Sequence, residues 1–112
     1  MLTVEKVRLS TMLKAQDYRR LKDRLQTAKK EDLAREWSAL PPWEQLIVFK
    51  LMDAPTALDF YGERSLKEKY LLFSGFPLNS IAPVLEDASP EVRRLFVPLP
   101  AGFYKTMLAE LK

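Results

Sequence analysis

The sequence contains neither cysteine nor histidine. Without cysteine, the chain forms no disulfide and offers no thiolate for catalysis or metal binding. Without histidine, it lacks the side chain that most often serves as a general base near neutral pH and as a ligand for transition metals. These absences exclude His-based catalytic triads, zinc sites with His or Cys ligands, and haem ligation by histidine. We therefore predict that the chain is not an enzyme.

Long apolar runs are also missing. The run from Leu46 to Phe49, for example, is four residues long, whereas a membrane-spanning helix needs about 20 apolar residues. The first residues, Met-Leu-Thr-Val-Glu-Lys-Val-Arg, lack the apolar core of a signal peptide. We expect a cytoplasmic protein without membrane insertion, or the cytoplasmic part of a larger one.

Charge is distributed unevenly along the chain. Residues 1–30 contain nine Lys or Arg and three Asp or Glu, whereas residues 31–112 contain nine basic and twelve acidic residues. A chain of 112 residues is long enough to bury one core and is typical of a single domain. We therefore expect one domain, in which a basic helical segment at 1–29 packs on a helical stack formed by 30–112.

Short helices dominate the expected secondary structure. Glycine is rare, but eight prolines recur near residues that cap helices, because proline fits a first helical turn and Ser or Asp accepts its free N–H groups. Ser65 and Glu68 form a capping box. Pro83 is accommodated if Ser80 caps its helix, and Gly62 is expected to end a helix in the left-handed conformation. The predicted starts are Pro42, Asp53, Ser65, Ser80 and Ser89.

The chain is organised around residues 40–61, which are expected to form two helices with almost no linker. The polar residues around Leu46–Met52 do not share one helical face, so this helix is expected to pack on more than one side. Residues 3–15 leave a strand as an alternative to a helix, but no hairpin signal is present elsewhere. We predict an all-α fold of eight or nine helices, each about ten residues long, stacked into a superhelix.

Four segments resemble the intracellular N-terminal domain of MgtE-type magnesium transporters, in which Asp-Leu-Ala, Leu-Pro-Pro-Glu-Glu, Leu-Phe-x-Leu-Leu and Ala-x-x-Leu recur at similar intervals. The segments here are Asp32–Ala34, Leu40–Glu44, Phe49–Met52 and Ala57–Leu58. The resemblance covers about residues 30–111 and implies a right-handed, armadillo-like superhelix. The flagellar motor switch protein FliG is more distantly similar, although its Glu-His-Pro-Gln signature is missing here.

In the transporters, acidic residues of this domain face tandem CBS domains, and Mg²⁺ screens the repulsion between them to keep the channel closed. This chain has neither CBS domains nor membrane helices, so the resemblance does not imply transport. We predict a non-catalytic cytoplasmic protein–protein interaction or regulatory module. A Mg²⁺-responsive regulatory domain of a magnesium transporter is the alternative.

Glu86, Asp87 and Glu91 are the densest acidic group and the candidate metal ligands. The corresponding helix of the transporters often reads Pro-Asp-Asp-x-x-Asp, whereas here Arg93 and Arg94 follow Glu91. Mg²⁺ prefers clustered oxygen ligands, which guanidinium groups oppose. Solvated carboxylates at helix ends are the simpler interpretation. We therefore expect no cofactor, with Mg²⁺ at these three residues as the alternative.

Partner-binding candidates come from residue types that are frequent in interface hot spots. The basic side of the second helix lacks a nucleic-acid-binding motif and is interrupted by Asp17 and Asp23, so an acidic protein suits it better than DNA. A solvated helix face, a surface ion pair and a core tryptophan are the competing structural interpretations. The candidates are Arg93, Arg94, Trp43, Arg19, Arg20 and Arg24.

Overall fold

The computed structural model describes residues 9–96 and 99–111. Within these ranges the chain is helical and has no strand, which confirms the predicted all-α class. Of the segment 3–15, for which a strand was the alternative to a helix, residues 9–14 are helical, and residues 3–8 lie outside the described residues. None of the described helices has the length and apolar character needed to span a bilayer. The helices are α1 (Leu9–Lys14), α2 (Tyr18–Thr27), α3 (Lys30–Ser38), α4 (Pro42–Leu51), α5 (Ala54–Gly62), α6 (Leu66–Ser74), the 3₁₀ segment (Leu78–Ile81), α7 (Ala82–Asp87), α8 (Pro90–Arg93) and α9 (Ala101–Glu110).

Most predicted helix starts are confirmed by their capping hydrogen bonds. The Asp53 carboxylate accepts a backbone N–H of α5 at 3.0 Å. The Ser65 hydroxyl accepts the N–H of Glu68 at 3.2 Å, while the Glu68 carboxylate accepts the N–H of Ser65 at 3.2 Å. The Ser89 hydroxyl accepts a backbone N–H of α8 at 3.2 Å. Each bond satisfies an N–H that has no partner inside its helix.

The predicted start at Ser80 is wrong. Ser80 lies inside the 3₁₀ segment, and α7 begins one residue after Ile81, with Pro83 in its first turn. The Ser80 hydroxyl donates a hydrogen bond to the Gly75 carbonyl oxygen at 2.9 Å. The side chain therefore satisfies the end of α6 and does not cap α7.

The left-handed residue is Gln16, and not Gly62 as expected. Gly62 is the last residue of α5, and no glycine within the described ranges has a positive φ. Gln16 has φ 57° directly after α1. Its N–H donates to the carbonyl of Leu13 at 3.1 Å, and the N–H of Asp17 donates to that of Met12 at 3.0 Å. This pair of bonds is a Schellman motif, in which glycine usually occupies the position of Gln16.

Helix α4 lies at the centre of the fold. It packs against α2, α3, α6 and the 3₁₀ segment. Its contacts with several neighbours confirm the prediction that Leu46–Met52 packs on more than one side. Six of its ten residues are buried: Gln45, Ile47, Val48, Phe49, Lys50 and Leu51.

Helices from both ends of the described chain complete the core. The helices α1 and α2, from the basic N-terminal segment, pack against α3 and α4. At the other end, α9 packs against α5 and α6, and the hydroxyl of buried Tyr61 donates to the Met107 carbonyl oxygen at 2.9 Å. The molecule measures 47 × 32 × 22 Å. Packing between helices that are distant in the chain therefore positions the surfaces described below.

Candidate functional site

A groove of about 340 Å³ is formed by residues from α2, α4, α7 and α8 and from the turn before α2. It brings together side chains from distant parts of the chain, including two of the predicted site residues, Trp43 and Asp87. We call it the Trp43 groove. The lining residues that matter for its chemistry are Gln16, Tyr18, Trp43, Val84, Asp87 and Val92.

Trp43 is 42% exposed in the first turn of α4. The other tryptophan, Trp37, is fully buried, and its indole Nε1–H donates to the Gln45 carbonyl oxygen at 3.0 Å. The Gln45 side-chain amide donates to the Trp37 carbonyl oxygen at 3.0 Å in return. The packed part of α4 therefore begins at Gln45, and Trp43 precedes it. This exposure agrees with the choice of Trp43 as a partner-binding candidate.

The charged group among the described residues that line the groove is a carboxylate. Asp87 is exposed at the end of α7 and lines the groove. Burial raises the pKa of the Tyr18 phenol, and the negative charge of Glu44 raises this pKa further. Tyr18 also packs edge-on against Phe96, with ring centroids 5.6 Å apart. Two carboxylates therefore act at or near the groove, and its Tyr18 phenol stays neutral at physiological pH.

The remaining predicted metal ligands do not join Asp87 in a metal site. Glu86 and Glu91 are exposed and do not line the groove. Among the described residues there is no group of three or more carboxylates that could hold a metal ion. The proximity of Glu86, Asp87 and Glu91 in sequence thus does not bring their side chains together around one ion.

Three of the predicted partner-binding arginines are exposed and lie close in sequence to residues that line the groove. Arg19 follows the groove residue Tyr18, and Arg93 and Arg94 follow Val92 at the end of α8. None of these arginines forms an ion pair with another side chain in the part of the chain that the structure describes. They are therefore free to contact a partner.

The other two arginines make contacts within the molecule. Arg20 and the adjacent cap residue Asp17 form an exposed ion pair at 3.7 Å. Arg24 is largely buried and pairs with Glu36 at 2.8 Å. The same carboxylate accepts the N–H of Leu9 at 2.9 Å. Arg24 and Glu36 thus join α1, α2 and α3, which is a structural role for Arg24.

Lys50 is a buried amine for which the sequence predicted no role. It is 2% exposed, and burial lowers its pKa to about 8. A lysine with a lowered pKa is the usual form of an amine nucleophile. However, its Nζ donates to the carbonyl oxygens of Gly75 and Phe76, the latter at 2.6 Å, and it lines neither the Trp43 groove nor the second groove described below. Lys50 therefore closes the end of α6 and holds no position from which to attack a substrate.

Lys22 has a similar structural role. Its Nζ donates to the carbonyl oxygens of Leu51 at 2.8 Å and Leu95 at 2.7 Å. Burial lowers the pKa of Lys22, while the nearby Asp53 carboxylate opposes this change. Lysine side chains near helix ends commonly bond the last carbonyl groups. For Lys50, the position of a lysine within an apolar helix is a sequence feature that could have indicated this role.

A second groove, of about 380 Å³, lies between α2, α3 and α5. Lys30 and Asp59 line it and form an ion pair at 2.6 Å. A hydrogen bond and the charge of Asp59 raise the pKa of Lys30. Glu63 also lines this groove. The described lining of the second groove thus carries one cation and two carboxylates, whereas that of the Trp43 groove carries Asp87 and no cation but adds an exposed tryptophan.

An exposed apolar surface lies along α6 and α9. Tyr104 stacks on Phe73, with ring centroids 4.9 Å apart. Four large apolar side chains on these two helices are between 39% and 57% exposed. The exposed residues are Leu66, Tyr70, Tyr104 and Leu108. These four residues line neither of the two described grooves.

No family model, curated protein or solved structure matches the chain. The comparisons therefore do not link it to the MgtE N-terminal domain or to FliG.

Proposed function

We propose that the chain is a non-catalytic protein–protein interaction or regulatory module and that the Trp43 groove is its docking site. The observation that carries this proposal is an exposed tryptophan set in a concave surface with aliphatic walls at Val84 and Val92. Tryptophan is enriched among hot-spot residues because its large ring buries much apolar area when a partner excludes water. The proposed module is cytoplasmic.

A stable core supports this surface. Trp43 extends from α4, the most buried helix, and the groove residues on α2, α7 and α8 lie on helices of the same fold. A docking site on packed helices keeps its shape in the free protein, which reduces the entropic cost of binding. In this proposal the helices form a right-handed superhelix like that of the MgtE N-terminal domain, which their tight succession and proline starts support.

Exposed arginines form the rim of the proposed interface. Arg19, Arg93 and Arg94 each lie next to a groove residue or to its neighbour in sequence. Such rim charges mainly increase the rate of association and select among partners. The acidic protein surface expected from the sequence would face these arginines.

No observation favours the magnesium-responsive alternative, because the described carboxylates form no group that could hold a metal ion. Lys50, the amine with a pKa lowered to about 8, is directed at backbone carbonyl groups. Both observations favour binding over catalysis or metal sensing.

The test is affinity capture from cells of the source organism with the wild-type chain, Trp43→Ala and Leu58→Ala. Leu58 is a matched control, since it is 41% exposed on α5 and lines neither described groove. We expect the wild type and Leu58→Ala to capture the same protein and Trp43→Ala to lose it, with unchanged circular dichroism in all three. Equal capture by Trp43→Ala would contradict the proposal.

A further inference from the structure

The charge of the Trp43 groove is one-sided. Asp87 lines it, and Glu44 lies close enough to Tyr18 for its charge to act on the phenol. No lysine or arginine is among the described residues that line the groove. A cationic group that enters the groove therefore meets the Asp87 carboxylate and no described lining cation, since the exposed Arg19, Arg93 and Arg94 lie outside the lining.

The aromatic rings in the groove add to this preference. The faces of tryptophan and tyrosine rings attract ammonium and guanidinium groups, with tryptophan the most effective. Trp43 offers an exposed ring, whereas one side of Tyr18 is already in contact with Phe96. Together, Trp43 and Asp87 supply the two kinds of group that bind a cationic side chain: an aromatic face and a carboxylate.

The walls of the groove suit the apolar part of the same occupant. Pro83, Val84 and Val92 line the groove with apolar surface. Lysine and arginine carry aliphatic stems that pack on such surfaces while the charged end remains near polar groups. A neighbouring apolar residue of the partner would use the remaining space.

Gln16 adds a polar side chain to the lining of the groove. It lines the groove from a left-handed position, which glycine would occupy at lower cost. Non-glycine residues in this conformation concentrate at functional sites, where the side chain offsets the strain. The Gln16 amide can donate and accept hydrogen bonds with the backbone of a bound segment.

We infer that the Trp43 groove binds a lysine or arginine side chain that a segment of a protein partner presents next to an apolar residue. This inference rests on the proposed function, since it specifies the occupant of the same docking site. The partner is thus recognised by a cation held between Trp43 and Asp87, with Gln16 bonding the adjacent backbone.

The test begins with a displayed library of random peptides selected on the full chain. The selected peptides are synthesised, and their binding is followed by NMR through the two tryptophan indole N–H signals. Trp43 reports on the groove, while the buried Trp37 indole, bonded to Gln45, is an internal control. We expect the selected peptides to contain Lys or Arg beside an apolar residue. Their binding should shift the Trp43 indole signal and leave the Trp37 indole signal unchanged.

Charge-neutral variants then test the cation. We expect Asp87→Asn to weaken these peptides about two- to fivefold, as for a partly exposed ion pair. Glu86→Gln, an exposed neighbour outside the groove, is the matched control and should leave affinity unchanged. Replacing the peptide's Lys or Arg by Gln should cost more affinity with the wild type than with Asp87→Asn, because only the contact with Trp43 is then left to lose.

The outcomes distinguish a failure of the inference from a failure of the proposed function. Peptides that shift the Trp43 signal but lack Lys and Arg, and bind Asp87→Asn as tightly as the wild type, overturn the inference and leave the docking site in place. A selection that yields no peptide able to shift the Trp43 signal overturns both.

Discussion

At the scale of single residues, Gln16 has a backbone conformation that glycine adopts at a lower free-energy cost. Its φ of 57° is unfavourable for any residue with a Cβ. We expect Gln16→Gly to raise the free energy of unfolding by about 0.5–1 kcal/mol, the relief of strain less the greater freedom of glycine in the unfolded chain. Thermal melts should show an increase in Tm of about 2–5 °C.

The matched control for this variant is Gln26→Gly in the exposed part of α2. There the same substitution should lower the free energy of unfolding by about 0.5–1 kcal/mol, because glycine disfavours a helix. A decrease for both variants would show that Gln16 is not strained.

Tyr61 makes stability depend on alkaline pH. Burial and, secondarily, the charge of Glu110 raise the pKa of Tyr61 to about 12. In the unfolded chain the phenol loses its proton near pH 10, so the contribution of Tyr61 to stability is constant below that pH and is lost between about pH 10 and pH 12, by about 2–3 kcal/mol in total. Urea unfolding of the wild type and of Tyr61→Phe across this range should show that the difference in stability between them changes by this amount.

Tyr104→Phe is the control, since Tyr104 is exposed and is not among the groups whose charge acts on Tyr61, and this variant should leave the alkaline fall intact. Tyr61→Phe should also cost about 1–3 kcal/mol near neutral pH, because the buried Met107 carbonyl loses its donor. An alkaline fall that persists unchanged in Tyr61→Phe would assign it to another group.

At the scale of helices, the ends decide how closely two helices approach. A Cβ added to Gly75, at the end of α6, would overlap the Leu46 side chain of α4, whereas one added to Gly102 in α9 meets nothing within 4 Å. We expect Gly75→Ala to lower the free energy of unfolding by no more than about 1 kcal/mol, because the overlapping methyl groups belong to the half-buried Leu46 side chain, which can move. Gly102→Ala should raise it by about 0.5–1 kcal/mol through helix propensity.

Chemical denaturation of the two variants measures these opposite changes. Leu46→Ala should remove most of the cost of Gly75→Ala in a double-mutant cycle, because it vacates the overlapping space. The same sign of change for both glycine variants, or no coupling between Gly75 and Leu46, would argue against this close approach.

At the scale of the whole molecule, the distribution of carboxylates bears on the response to magnesium. The described acidic residues form no group that could hold a metal ion. We therefore expect the thermal melt to be unchanged by 10 mM Mg²⁺ at ionic strength matched with potassium. A site with a Kd of about 1 mM would instead add about 1.4 kcal/mol.

The contrary result is equally informative. An increase in Tm that is specific to Mg²⁺ and disappears in the combined variant Glu86→Gln, Asp87→Asn and Glu91→Gln would support the magnesium-responsive alternative. Partner capture would then be repeated in the presence of Mg²⁺.

Local sequence determined which residues form helices and where most helices begin. A capping bond such as Ser65 to Glu68 joins groups three residues apart, so the side chains that make it can be recognised without the fold. The burial of α4 followed from apolar residues on more than one of its faces. For Trp43 the sequence left a core position and an exposed position in a first turn beside prolines as alternatives, and the structure exposes it.

Tertiary structure decided everything that depends on two distant helices. The Trp43 groove needs Tyr18, Trp43 and Asp87 from three different helices, and the ion pair with Glu36 makes Arg24 structural while Arg19 stays exposed. These outcomes depend on how the helices pack, and packing follows the fit of many side chains at once, which the periodicity of one helix does not contain.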